Sequence, residues 1–260
     1  MKRRCASLAM LLLLSVPASA LETPQEILAC MARNEPQRSI VQTITLRSID
    51  RVGSESLSKA TLYWRKQGDR SDLLMRFFEP PDMSGAALLI EERGPGEPTS
   101  MHLYVPALGR ARRVNARGST GPVLGTNFSF EDFEHLYGIA RYGEAQSGGE
   151  QEIDGRAVHV VEGHPPPGAG SAYERVAIAV DAETCVPLRM EFFETGNRLR
   201  KRMEIDPEKV RLEGSLRLPG SVLMSDLRAE TSSELIVEAL EVDAEIPSQT
   251  FEPAWRSQGE

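Results

Sequence analysis

The densest group of ionisable side chains lies in the stretch SFEDFEHLYG, where Glu131, Asp132, Glu134 and His135 crowd together. Carboxylates beside an imidazole are the parts of a general acid/base pair. The same residues are also what the solvated face of a short helix presents, and the sequence favours that face. The four histidines, His102, His135, His159 and His164, form no HExxH and no pair at i, i+4, so a helix-borne zinc site has no support. A site assembled from scattered residues stays open. GxSxG is absent, and Ser119 in GSTG and Ser147 in QSGG sit in loop composition with no base suggested nearby. No catalytic residue, metal or cofactor is therefore expected, and a secreted hydrolase ranks last among the function classes.

The first twenty residues read as an export signal. Lys2, Arg3 and Arg4 form a basic start, Leu8 to Val16 an apolar core, and Ala18-Ser19-Ala20 a small-residue cleavage site. The apolar run is shorter than the roughly 20 residues a spanning helix needs. Polar Glu22 to Glu26 separate it from Ile27-Leu28-Ala29-Cys30, so Cys30 reads as a helix residue and not a lipidation site. Cleavage after Ala20 removes three bases and no acid, taking the net charge from −8 to −11. An acidic exported chain is a poor partner for nucleic acid. Its local exceptions are Arg110, Arg112, Arg113 and Arg117, and Arg198, Arg200, Lys201 and Arg202. Both runs fit solvated strand faces; the first also fits transient contact with anionic headgroups or a partner protein. The mature chain keeps Cys30 and Cys185, which an oxidising compartment could join, tying the N-terminal helix to a late strand. Two buried thiols are the alternative.

The elements that would position these residues are mostly strands. Thr23 and Pro24 supply an N-cap and a first helical position for a short helix carrying Ile27, Leu28 and Met31. Period-two alternation then predicts strands with faces Ile40/Ile44/Leu46, Leu62/Trp64, Leu73/Met75/Phe77, Val158/Val160, Val176/Ile178/Val180, Leu188/Met190/Phe192, Leu199/Met203/Ile205 and Ile236/Leu240/Val242. Short turns at Gly53-Ser54, Gln67-Gly68-Asp69, Gly196-Asn197 and Leu218-Pro219-Gly220 make the strands antiparallel. No βαβ rhythm or phosphate loop appears. Between the two runs of strands, Ser129 can cap a helix in a Ser-x-x-Asp arrangement that places Phe130, Phe133, Leu136 and Tyr137 on one face. That helix is either a lid on a curved sheet or a filler of its core. Residues 21–260 are expected to form a single domain and a monomer.

Five stretches, in this order, resemble the outer-membrane lipoprotein-sorting (LolA-like) family of periplasmic proteins. They are RFFEPPDMSGAALLI (76–90), LYVPALGRARRV (103–114), GTNFSFEDF (125–133), AETCVPLRMEFFETGNRLRKRMEI (182–205) and IPSQTFEP (246–253). The resemblance implies a mainly β (α+β) fold, a half-open and strongly curved antiparallel β-barrel with helices on its concave side. It also implies a periplasmic carrier of lipid or lipoprotein acyl chains without covalent chemistry, serving an inner-membrane transporter or outer-membrane acceptor. The branch most resembled is associated with lipid-exporting transport systems. A sensor that uses the same fold to contact a protein is the alternative.

A dry cavity accepting an acyl chain gains about 0.8 kcal/mol per methylene. Aromatic and thioether side chains suit a mobile chain. The candidates are Trp64, Met75, Phe77, Leu89, Tyr104, Phe128, Phe130, Met190 and Phe192, each of which could equally be plain core. In the first stretch, Pro80 and Pro81 cannot donate to a ladder, so the chain must leave the sheet after Glu79 and return through Gly85. The small residues Gly85 to Ala87 would either leave room at a cavity mouth or simply connect two strands.

Overall fold

The computed structural model describes residues 23–93, 99–114, 120–137, 145–168 and 170–252. The expected leader, Arg117 and Ser119 lie outside the described residues. Helix α1 (Pro24–Ala32) starts where the sequence places it. The Thr23 hydroxyl accepts from the Glu26 amide at 3.2 Å, and the Glu26 carboxylate accepts from the Thr23 amide at 2.9 Å. Ile27 and Cys30 face inward, and Cys30 is disulfide-bonded to Cys185 with the two Cα atoms 5.3 Å apart.

Six strands follow as a meander: β1 (Ser39–Ile49), β2 (Glu55–Gln67), β3 (Arg70–Glu79), β4 (Ala87–Glu92), β5 (Ser100–Val105) and β6 (Arg110–Val114). Helix α2 (Phe130–Leu136) then crosses the sheet face, and β7 (Gln146–Ile153), β8 (Arg156–Gly163), β9 (Arg175–Asp181), β10 (Pro187–Glu194) and β11 (Arg198–Ile205) run inward from the far edge. After a separate hairpin of β12 (Val210–Glu213) and β13 (Leu216–Pro219), β14 (Ser221–Asp226) and β15 (Thr231–Val242) complete one antiparallel sheet of 13 strands. Its order is β6-β5-β4-β3-β2-β1-β15-β14-β11-β10-β9-β8-β7, so the last strand pairs with the first at its centre.

The expectation of a strongly curved half-open barrel is corrected here. Edges β6 and β7 do not pair, no barrel closes among the described residues, and the sheet is not strongly curled. The reason lies in what covers the apolar face. Ile27 of α1, Val123 and Phe128 of the preceding loop, and Phe130 and Phe133 of α2 join strand residues in one core, so the face is buried without the edges meeting.

Two local features reset the alternation. Strand β4 is buried along nearly its whole length because both faces are covered. Leu88 and Ile90 join the main core, while Ala87 and Leu89 pack with Leu74 and Phe251 on the opposite face. In β15, Ile44 pairs with Val237 but Thr43 with Ala239, so Glu238 is an extra residue. Leu235 and Val237 are therefore the inward residues before the bulge and Leu240 after it; Ile236, expected on the same face as Leu240, points to the other side. The corner after β3 is a plain connection. The Glu79–Pro80 peptide is cis, the Gly85 amide donates to Phe77 O at 2.9 Å, and Gly85 holds φ +87° where an added Cβ would lie 3.3 Å from Pro106 Cγ.

Candidate functional site

An apolar cavity of about 140 Å³ lies at the centre of the sheet. Its floor is made by Trp64 of β2, Met190 of β10, Ile205 of β11, Val222 of β14 and Val237 of β15. Its walls are Met31 of α1, the C-terminal end of α2 and Leu218 of the β12–β13 hairpin, with Asn34, Glu35 and Arg217 at the rim. The hairpin is held by an Arg217 amide bond to Asn34 Oδ1 at 3.1 Å and by the Arg211 guanidinium on Val237 O. Trp64 is buried, and its indole N–H has no acceptor among the described residues.

The structure brings together only two of the nine expected cavity residues, Trp64 and Met190. Met75, Phe77, Phe128, Phe130 and Phe192 are buried in the surrounding core. Phe192 packs at a tilt against Tyr173 with centroids 4.8 Å apart, in the core and not in the cavity lining. Leu89 and Tyr104 belong to the opposite face, because Leu89 pairs with Leu74 and Tyr104 with Ala87. Gly85 to Ala87 are likewise away from the cavity. Arg110, Arg112 and Arg113 are exposed on edge strand β6, where charge also discourages pairing with a further strand.

The ionisable cluster on α2 is not a solvated face, which corrects the sequence reading. Asp132 has no exposed surface, and Glu131 and His135 are buried. Asp132 Oδ2 accepts from Lys201 Nζ at 2.7 Å and from the Ser129 amide at 2.7 Å, and its Oδ1 accepts from the Tyr173 hydroxyl at 2.6 Å. Glu131 accepts from the Ala172 amide at 3.0 Å and from the Ser171 hydroxyl. The second basic run is paired throughout: Arg200 with Asp226 at 2.6 Å, Arg202 with Glu191 at 2.8 Å and Arg198 with Glu194 at 3.4 Å. Lys201 shares the inward parity of Leu199 and Met203, a signal that could have revealed it. Gln42 similarly sits between inward Ile40 and Ile44, and its Oε1 takes the Tyr137 hydroxyl at 2.9 Å. Among the described residues no group of three His, Cys, Asp or Glu could hold a metal ion.

Burial sets the acid–base character of α2. It lowers the His135 pKa to about 4, against the pull of Asp132. It raises Glu134 to about 7, helped by the charges of Glu131 and Glu92 and opposed by Thr99. The stability effects have opposite signs. As pH falls from 7 towards 4.5 the native state takes up the Glu134 proton first and gains stability; as pH falls from 6.5 towards 4 the unfolded chain protonates its histidine first and the native state loses. In urea unfolding across this range, wild type is expected to gain on Glu134→Gln as pH falls, and His135→Phe to gain on wild type. Curves that stay parallel would show that these groups are not held as described.

A protein family described as uncharacterized matches residues 69–255. The chain belongs to it. No functionally curated protein matches the chain in sequence. Among solved structures, a candidate outer membrane lipoprotein-sorting protein domain from Vibrio parahaemolyticus is 21% identical, with 88% of this chain and 96% of that one covered and a TM-score of 0.77. A DUF1329 family protein from Desulfovibrio piger is 18% identical over 89% and 97% with a TM-score of 0.82. A LolA superfamily protein from Nitrosomonas europaea is 20% identical over 88% and 97% with a TM-score of 0.68. The chain thus shares the fold of these LolA-like and lipoprotein-sorting proteins. Among the described residues no helix is long and apolar enough to cross a membrane.

Proposed function

We propose that the protein is a periplasmic, non-enzymatic carrier that binds the acyl chain of a lipid or lipoprotein in the central cavity. The observation that carries this reading is a mostly apolar cavity, placed between the sheet and both helices and roofed by a hairpin outside the main sheet. The fold it shares with a lipoprotein-sorting protein domain and a LolA superfamily protein supports it. So does the Cys30–Cys185 disulfide, which fits an oxidising compartment.

Size limits what the cavity takes as it stands. Its 140 Å³ is close to the roughly 150 Å³ that accepts a benzene-sized ligand. On that scale it receives the last six or so carbons of a chain, a gain on the order of 5 kcal/mol. Taking more requires the β12–β13 roof to lift. A carbonyl at the head of the buried segment would give the Trp64 N–H an acceptor.

Native mass spectrometry of protein purified gently from the periplasm, followed by lipid extraction, is expected to find one acylated ligand per chain. Met31→Trp, a half-buried wall position, is expected to reduce that occupancy at least tenfold without unfolding the protein, and Trp64→Glu to abolish it. An apo mass from wild type, or ligand retained equally by Met31→Trp, would count against the carrier reading and favour a protein-contact role.

Delivery needs a membrane or partner, and an acidic carrier is repelled by anionic lipid unless a basic patch faces it. We assign that contact to Arg110, Arg112 and Arg113. Each base near an anionic surface contributes about 1 kcal/mol, so neutralising all three to Gln should weaken vesicle binding at least tenfold and flatten its salt dependence. Binding that ignores both salt and the triple change would place the contact elsewhere.

A further inference from the structure

A second cavity of about 470 Å³, more polar than the first, lies at the other end of β1, some six residues or roughly 20 Å along the strand from Gln42 at the apolar cavity. Hydroxyl and amide side chains line it: Ser48, Ser54 and Ser56 from the β1–β2 turn region, Thr126 and Asn127 from the loop before α2, and Thr231 from β15. Ser48 already bonds Ser233 at 2.7 Å, Thr126 donates to Val123 O at 2.8 Å and Asn127 donates to Thr231, so what these groups have left is spare lone pairs on their oxygens. Its charged groups are already matched. Arg200 pairs with Asp226 at 2.6 Å and Lys201 with Asp132 at 2.7 Å. Asp50 accepts from the amides of Val52 and Ser54 at 2.9 and 2.8 Å, and Glu55 lies 3.9 Å from Arg47. One donor is left over: Nη1 of Arg200 is buried and has no partner among the described residues.

We infer that this cavity binds a neutral polyhydroxylated group, a saccharide in chemical class. An anion would face Asp50, Glu55 and Asp226, and a cation would face Arg200 and Lys201; either would have to compete with ion pairs already made. A sugar brings hydroxyls that both donate and accept, which is what serine, threonine and asparagine side chains match. The volume falls within the roughly 300–1,000 Å³ of small-molecule sites. The site is separated from the apolar cavity by α2 and its aromatic core, so it does not depend on acyl binding. Its ligand is either a free saccharide or the headgroup of a glycolipid.

The test is an amide-detected NMR titration of the mature protein with the methyl glycosides of glucose, galactose, mannose and N-acetylglucosamine. Octyl glucoside below its micelle concentration, glucose 6-phosphate and inorganic phosphate complete the set. Saturable shifts confined to residues 48–56, 126–127 and 226–231 with at least one neutral glycoside are expected. Ser56→Phe, at an exposed strand position, fills the cavity and should weaken binding at least tenfold; Arg200→Lys keeps the charge but removes the spare donor and should weaken it severalfold. Met31→Trp should leave sugar binding unchanged, which separates this site from the carrier reading. Tighter binding of octyl glucoside than of methyl glucoside through the same amides identifies a glycolipid headgroup, and equal binding a free saccharide. The proposal is overturned if no neutral glycoside gives saturable shifts there, if Ser56→Phe leaves them unchanged, or if only the phosphate-bearing probes bind.

Discussion

Replacing Cys30 and Cys185 together by alanine is expected to lower the melting temperature by roughly 10–20 °C. The disulfide closes a loop of 155 residues, between the first helix and the β9–β10 turn. In the chain-entropy picture a loop of that length stabilises by about 5 kcal/mol, an upper figure because denatured chains keep some structure. A domain of this size loses about 2–4 °C per kcal/mol. The local contacts around the bridge are few by comparison. Asn34 Nδ2 donates to Thr184 O at 2.9 Å, and the Arg33 guanidinium approaches Cys185 Sγ at 3.3 Å. Because α1 and the turn that follows it supply Met31, Asn34 and Glu35 to the apolar cavity, the same double variant should also release bound ligand faster. The measurement is thermal unfolding of the double variant beside the oxidised and reduced wild type. A loss of only a degree or two would mean that packing of Ile27 and its neighbours, and not the covalent tie, holds α1 in place.

Much of this scaffold is legible in the sequence where the deciding signal is local. Thr23 and Ser129 cap their helices through residues three positions on, and Pro80-Pro81 must end a strand whatever surrounds them. Legibility fails where the answer depends on a distant partner. Alternation shows that Met75 and Phe77 share a face, but not that the face is filled there and open beside Trp64 and Met190. Leu89 reads as a core residue and is one, yet its register against Leu74 turns it to the face covered by Phe251, some 160 residues later in the chain. The extra residue Glu238 reverses the parity of β15, and nothing in ELIVEALEV marks it. The resemblance to lipoprotein-sorting proteins reaches the sheet and its helices, while the degree of curl depends on how fully those helices and loops fill the face.

The acidic helix is the case in which composition misled most, and it yields the last prediction. Asp132→Ala is expected to cost about 3–5 kcal/mol, because it strands a buried cation instead of removing a surface charge. Lys201 is 8% exposed, and its ammonium would keep only the carbonyl of Asn127 at 2.8 Å. The Tyr173 hydroxyl and the Ser129 amide would lose their acceptor at the same time. Lys201→Met alone leaves the carboxylate with two neutral donors, so it should cost less than Asp132→Ala. The double change Asp132→Ala/Lys201→Met removes both charges and should recover part of the loss, giving a coupling energy that a surface pair, worth about 0–1 kcal/mol, could not supply. Denaturant unfolding of the four proteins tests this directly, and additive single effects would show that the pair is not coupled. Since Lys201 ties α2 to β11 between the two cavities, the variants should also loosen both sites together. A loss of ligand at one site alone, with stability unchanged, would separate that site from the helix that the ion pair holds.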